Sequence, residues 1–264
     1  MKRVLQLLNV LSLLLTIGVN YFFNSGQHIA ASMKTISSKY ENLLTPAGYA
    51  FSIWGLIYFA LICFAVYQAR SLVFKNAEED FVEKIGPWFI LTNVLNALWV
   101  IVFTHDMIAL SVVIMFLLFF SLLKIILNLN MEKWDAPFIT ILLIWWPFSI
   151  YFGWVNVALA ANVSVYLVSL GYTGSPLDPA TWAMLVLLLL CIIVIAMIWK
   201  RNMREYATAA AWGIIAIGIR NIDTSQSVAY TAFFVAAIVL INIALHGYKN
   251  RAFIPIRRLR PKMK

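Results

Sequence analysis

The chain is expected to fold as an all-α, polytopic membrane bundle of about eight transmembrane helices, with both termini on the cytoplasmic side. Three observations predict this. First, 63% of its 264 residues are hydrophobic and only 12% are charged, against about 45–50% and about 25% in a soluble domain. Second, apolar stretches close to the length of a bilayer crossing recur along the whole sequence. Third, the basic residues alternate between the connections in the manner of the positive-inside rule.

Taken in order, the spans are predicted at about 4–23, 48–69, 87–105, 107–128, 137–167, 180–199, 206–220 and 227–247. The first, MKRVLQLLNVLSLLLTIGV, looks like a secretory signal. It has no small-x-small site directly after the apolar run, so it is expected to stay as the first crossing. With the N-terminus inside, Lys2, Arg3, Arg70, Lys75, Lys84, Lys124, Lys133, Lys200, Arg201, Arg204 and seven residues from Lys249 to Lys264 are inner. Only Lys34, Lys39 and Arg220 of the 20 lysines and arginines are outer. The fifth span is the longest. No charge occurs between Asp135 and Asp178, and as straight helix that stretch would reach roughly 60 Å, twice the hydrocarbon thickness. Two crossings there would invert everything downstream and put most basic residues outside. A single crossing with Pro147 as a kink is therefore expected, followed by the outer loop GYTGSPLDP. The outer connection at 24–47 is long enough to cover an outward-facing pocket.

Composition also excludes functions. The net charge of +9 is dispersed or lies in the tail RRLRPKMK, which suits orientation and contact with anionic lipid rather than nucleic acid. Cys63 and Cys191 sit in apolar runs without redox or metal spacing. His28, His105 and His246 fall at span edges or in loops, and no pair has ligand spacing, so no metal is expected. No acid, lysine or arginine lies mid-span, which disfavours an ion-coupled pump and leaves a retinal Schiff base without its lysine. No catalytic residue is assigned, and no nucleophile elbow or zinc-protease motif is present. His105–Asp106 reads as a tight outer turn. Arg220 and Asp223 end the seventh span; they are read as a pair or, more sharply, as an outer gate contact.

What remains are three stripes of large aromatics with polar companions. Phe51, Trp54 and Tyr58 share one helix face; so do Asn93, Asn96, Trp99 and Phe103; so do Tyr151, Trp154, Ala158 and Asn162. Asparagine in hydrocarbon needs a partner, so these faces should point into the bundle. Together they suggest an aromatic-lined cavity in the middle and outer half of the bilayer, suited to a flat, apolar ligand with a few polar groups.

These stripes resemble the TspO/MBR family of tryptophan-rich sensory, translocator-type proteins. Pro46, Trp54 and Tyr58 match the pattern of the second helix, Asn96, Trp99 and Phe103 that of the third, and Tyr151, Trp154, Ala158 and Asn162 that of the fifth. The chain departs from the pattern in three places. Ile150 stands where the family has proline, the second-helix phenylalanine is displaced by one to Phe51, and no cholesterol-type motif follows Tyr166. The resemblance implies a five-helix unit over residues 1–170, with three additional helices over 171–248 and a basic cytoplasmic tail over 249–264. It implies a sensor or carrier that binds a porphyrin or sterol-like molecule through Phe51, Trp54, Tyr58, Asn93, Asn96, Trp99, Tyr151, Trp154 and Asn162. A porphyrin is then a ligand and no cofactor is expected. The expected partners are membrane lipids and that hydrophobic small molecule, with a homodimer as the assembly open to it. The expected location is the bacterial inner membrane. Two other classes fit the same cavity: an intramembrane enzyme acting on a lipid or isoprenoid pigment, and an uncoupled permease.

Overall fold

The structure, a computed structural model, describes residues 1–24, 33–73, 80–172, 174 and 176–250. His28, Lys75 and the tail beyond Asn250 lie outside the described residues. The elements of the described chain are all helical. Eight long helices follow one another: α1 (Lys2–Asn24), α3 (Ile53–Val73), α5 (Trp88–Thr104), α6 (Ile108–Asn128), α8 (Trp146–Ser169), α9 (Pro179–Arg201), α10 (Arg204–Asn221) and α11 (Gln226–Lys249). Short helices α2 (Met33–Lys39), α4 (Asp80–Ile85) and α7 (Phe138–Thr140) sit between them, and a 3₁₀ turn at Gly48–Ser52 leads into α3. Six of the long helices are apolar and long enough to cross a membrane. Trp88–Thr104 is a shorter apolar helix, and α10 is the eighth.

The predicted fifth span is one continuous helical passage from Phe138 to Ser169, a candidate for one long crossing with no break for a second. The ladder changes register within it. A π turn at Ile141–Trp145 joins α7 to α8, whose first turn carries Pro147. Proline has no N–H to donate and crowds the carbonyl four residues back. The wider π spacing just before it absorbs that disruption without ending the helix. The next connection is terminated by side-chain chemistry. The Asp178 carboxylate accepts from the backbone N–H of Ala180 and Thr181, both at 3.0 Å, and caps α9 ahead of Pro179. Asn202, in the left-handed region at φ 60°, closes the other end of α9.

The bundle is apolar outside, and within its largely apolar core it also buries polar side chains that lipid would not accept. On α1 the exposed face is Leu7, Leu11, Leu14 and Leu15, while Gln6, Asn9, Thr16 and Asn20 are buried. Exposed Phe59, Val66, Phe120, Ile192 and Phe234 continue the apolar surface around the molecule. In hydrocarbon there is no hydrophobic gain in burying leucine against leucine, so close packing and interhelical hydrogen bonds hold the helices together. Both are present. Gln68 on α3 donates to the Gln6 carbonyl at 3.1 Å and accepts from Asn9 Nδ2 at 2.8 Å. Thr92 and Ser121 join α5 to α6 at 2.8 Å. The seam between α8 and α10 is lined by small residues. Gly153 lies against the Tyr206 carbonyl and Gly213 against Val157, with Ala207, Ala210 and Ala211 buried nearby. That seam fixes α9, α10 and α11 beside the first five long helices.

Candidate functional site

The three aromatic stripes meet where α3, α5 and α8 face one another, towards the end of the bundle that carries the connection ahead of α3. α3 enters from the 3₁₀ turn, which brings Phe51 onto the same side as Trp54 and Tyr58. Trp54 is the centre of the aromatic cluster. It stacks on Tyr58 at a centroid distance of 5.5 Å and meets the edges of Tyr151 at 5.6 Å and Trp154 at 6.4 Å. Phe51 packs edge-on to Trp154 at 5.9 Å, and Trp99 stacks on Phe103 at 5.3 Å. Offset and edge-to-face pairs are the favoured aromatic geometries.

Beneath these rings lies a polar layer organised by Asn96. Its Nδ2 donates to the Tyr151 hydroxyl at 2.8 Å. Its Oδ1 accepts from Asn20 Nδ2 at 2.9 Å and from the Tyr58 hydroxyl at 3.3 Å. One fully buried amide therefore connects α1, α3, α5 and α8. A second node is Asn162, whose Oδ1 accepts from the Trp99 indole at 2.7 Å while its Nδ2 donates to Ser111 on α6 at 2.9 Å. Asn93 turns the other way and donates to Ser12 on α1 at 3.0 Å. Two indole N–H groups stand apart from these nodes: those of Trp54 and Trp154 are buried and have no partner.

Above this layer is a small cavity of about 50 Å³. Of the nine residues expected at the site, Phe51, Trp99, Trp154 and Asn162 wall it. Trp54, Tyr58, Asn96 and Tyr151 form the layer below, and Asn93 belongs to the contact between α1 and α5. The opposite wall comes from α2 and the segment after it, through Met33, Ser37, Thr45 and Pro46. Residues 25–32 of that connection lie outside the described residues. A ligand of ordinary organic size needs about 300–1,000 Å³, so in this conformation the cavity is too small to hold one.

None of the nine residues expected at the site lies on α1. Its polar face, Gln6, Asn9, Ser12, Thr16 and Asn20, recurs at steps of three and four. That spacing is the signal that could have found it. Ser111 carried no such signal, because one serine in an apolar helix is unremarkable. At the outer rim, Arg220 pairs with Glu41 at 3.2 Å, across from the opening connection, rather than with its sequence neighbour Asp223. Asp106, in the left-handed region at φ 65°, pairs with Lys39 at the end of α2. The hydrogen bond from Lys39 holds the Asp106 carboxyl below its ordinary range and raises the Lys39 ammonium in turn. No group of three or more metal-ligating side chains occurs among the described residues.

A family model described as TSPO-like protein matches residues 6–245 of the 264. The match runs through the last three long helices as well as the first five. Comparisons with curated proteins and with solved structures return no match.

Proposed function

The chain belongs to the TSPO-like protein family, and we propose that it is a membrane sensor or carrier for a flat, largely apolar ligand of the porphyrin class. The ligand would be held between α3, α5 and α8, in a five-helix unit over residues 1–170 to which the last three long helices are added.

The observation that carries this reading is Trp154. Its ring walls the cavity, while its indole N–H is buried and has no partner. An unmade hydrogen bond of a buried donor costs about 1–3 kcal/mol, and a ligand acceptor entering the cavity would recover it. Trp54, with a second unpartnered N–H, lies against Trp154. The surrounding rings of Phe51, Trp99 and Phe103 offer apolar faces. Such a site selects a molecule that is flat, mostly apolar and equipped with a few acceptors, a description that protoporphyrin meets. Binding requires the wall formed by Met33, Ser37, Thr45 and Pro46 to move outward, since the cavity is far below ligand size.

The test is tryptophan fluorescence of the purified protein on titration with protoporphyrin. Saturable quenching is expected. Trp154→Phe, which keeps a ring and removes the N–H, should weaken binding about tenfold, whereas Trp134→Phe on the inner side should leave it unchanged. Absence of saturable quenching by the unmodified protein at micromolar ligand overturns the reading.

A further inference from the structure

We propose that α10 is the latch of this pocket: its outer half holds the strap of residues 41–50 closed over the cavity, and release of that strap admits the ligand. The proposal rests on the aromatic cavity being the ligand site. It assigns to one of the last three helices a function in that site.

The strap is fastened to one face of α10 at successive turns. The Trp212 indole donates to the Ala50 carbonyl at 3.1 Å, and the Tyr49 ring meets Trp212 edge-on at 5.2 Å. One turn further out, the Ala47 N–H donates to the Ala216 carbonyl at 3.0 Å. A turn beyond that, Arg220 pairs with Glu41 at 3.2 Å and Asn221 Nδ2 donates to the Leu43 carbonyl at 2.9 Å. Positions 212, 216 and 220 are four apart and so lie on one stripe. Between two of these fastenings sit Thr45 and Pro46, which wall the cavity.

The strap also has somewhere to go. On its other side Leu43 and Leu44, with Ser164, Trp182 and Asn221, wall a second cavity of about 510 Å³. The strap is therefore a partition between a cavity too small for a ligand and a second one about ten times larger. The bonds that hold it are unequal. The Arg220–Glu41 pair is exposed and weak, as surface ion pairs are. The Asn221 amide is buried and also holds the Ile217 carbonyl of its own helix at 2.8 Å. Asn221 and Arg220 are positioning residues, because they act on the pocket only through the strap.

The experiment reads the gate without any ligand. Ala158, on the cavity wall, is replaced by cysteine in a Cys63→Ala background. Its reaction with a water-soluble maleimide is followed peptide by peptide, with the buried native Cys191 as internal reference. Arg220→Glu, which sets two like charges against each other, should speed labelling at 158 about two- to fivefold. Asn221→Ala should speed it about tenfold. The Glu41→Arg, Arg220→Glu double exchange should return the rate to that of the parent. Labelling at Cys191 should not change. Equal rates at 158 in parent and variants overturn the proposal, and so does a parallel rise at Cys191, which would mean general loosening. If labelling is gated as expected but protoporphyrin does not bind, the ligand assignment falls and the latch stands.

Discussion

Asn96 shows how much one buried amide can hold. It has four hydrogen-bonding positions, two donors and two acceptor lone pairs, and three are engaged by side chains from three other helices. Replacing it with alanine leaves the Tyr151 hydroxyl and the Asn20 amide without that partner in a site closed to water. The expected loss is roughly 1–3 kcal/mol, from the cost of stranded buried groups moderated by the small average worth of hydrogen bonds in membrane bundles. Thermal unfolding in detergent would show it as a lowered midpoint. A midpoint equal to that of the parent would mean that the layer under the aromatic rings is not held by this amide. Trp154 is the converse case, a donor left unmade within the same cluster, which is why it is assigned to a ligand rather than to packing.

At the scale of elements, the seam between α8 and α10 depends on glycine for space, not for conformational freedom. A Cβ at Gly153 would collide with the backbone carbonyl of Tyr206. A main-chain atom cannot turn aside as a side chain can, so Gly153→Ala must push the two helices apart. Overpacking of this kind typically costs about 1–3 kcal/mol. Gly18 on α1, by contrast, has nothing within 4 Å of the same Cβ position, and Gly18→Ala should be tolerated or slightly stabilising because alanine is the better helix former. Comparing the two variants by thermal unfolding separates a packing requirement from a general sensitivity of the helices to substitution. Because α10 carries the latch residues, Gly153→Ala should also loosen the strap. Equal stability of the two variants would contradict the packing argument.

For the whole molecule, the end of the bundle away from the cavity has a charge arrangement that ties stability to pH. Glu132 lies in the connection between α6 and α7, outside the spans. Burial pushes its carboxyl up to about 8; the neighbouring Glu205 adds to the rise and Arg204 opposes it. A carboxyl whose pKa is higher in the folded than in the unfolded chain binds its proton more tightly when folded. Its contribution is therefore fully present below about pH 4.5, the ordinary value, and is lost as pH rises towards 8. Stability of the parent should fall across that window, and Glu132→Gln should flatten the fall. Unfolding midpoints recorded at a series of pH values check this. A parent and variant with parallel profiles would remove Glu132 as the cause.

By itself the sequence determined the membrane bundle, the eight helices to within a few residues at each end, the single long crossing at Pro147 and the aromatic stripes. The reason is local: hydrocarbon imposes a length and an apolar composition on each span, and a helix repeats its faces every three to four residues. For the same reason the polar stripe of α1 was legible in principle. Only the tertiary structure decided which face met which. Asn96 became a hub and Asn93 an anchor for α1, although they lie three residues apart on one helix face. Arg220 found Glu41 some 180 positions earlier in the chain rather than Asp223 three positions later. Position along the chain does not encode distance across a bundle. The small cavity, the unpartnered indoles and the strap held by α10 all depend on such long-range meetings, and they exist only once the helices have packed.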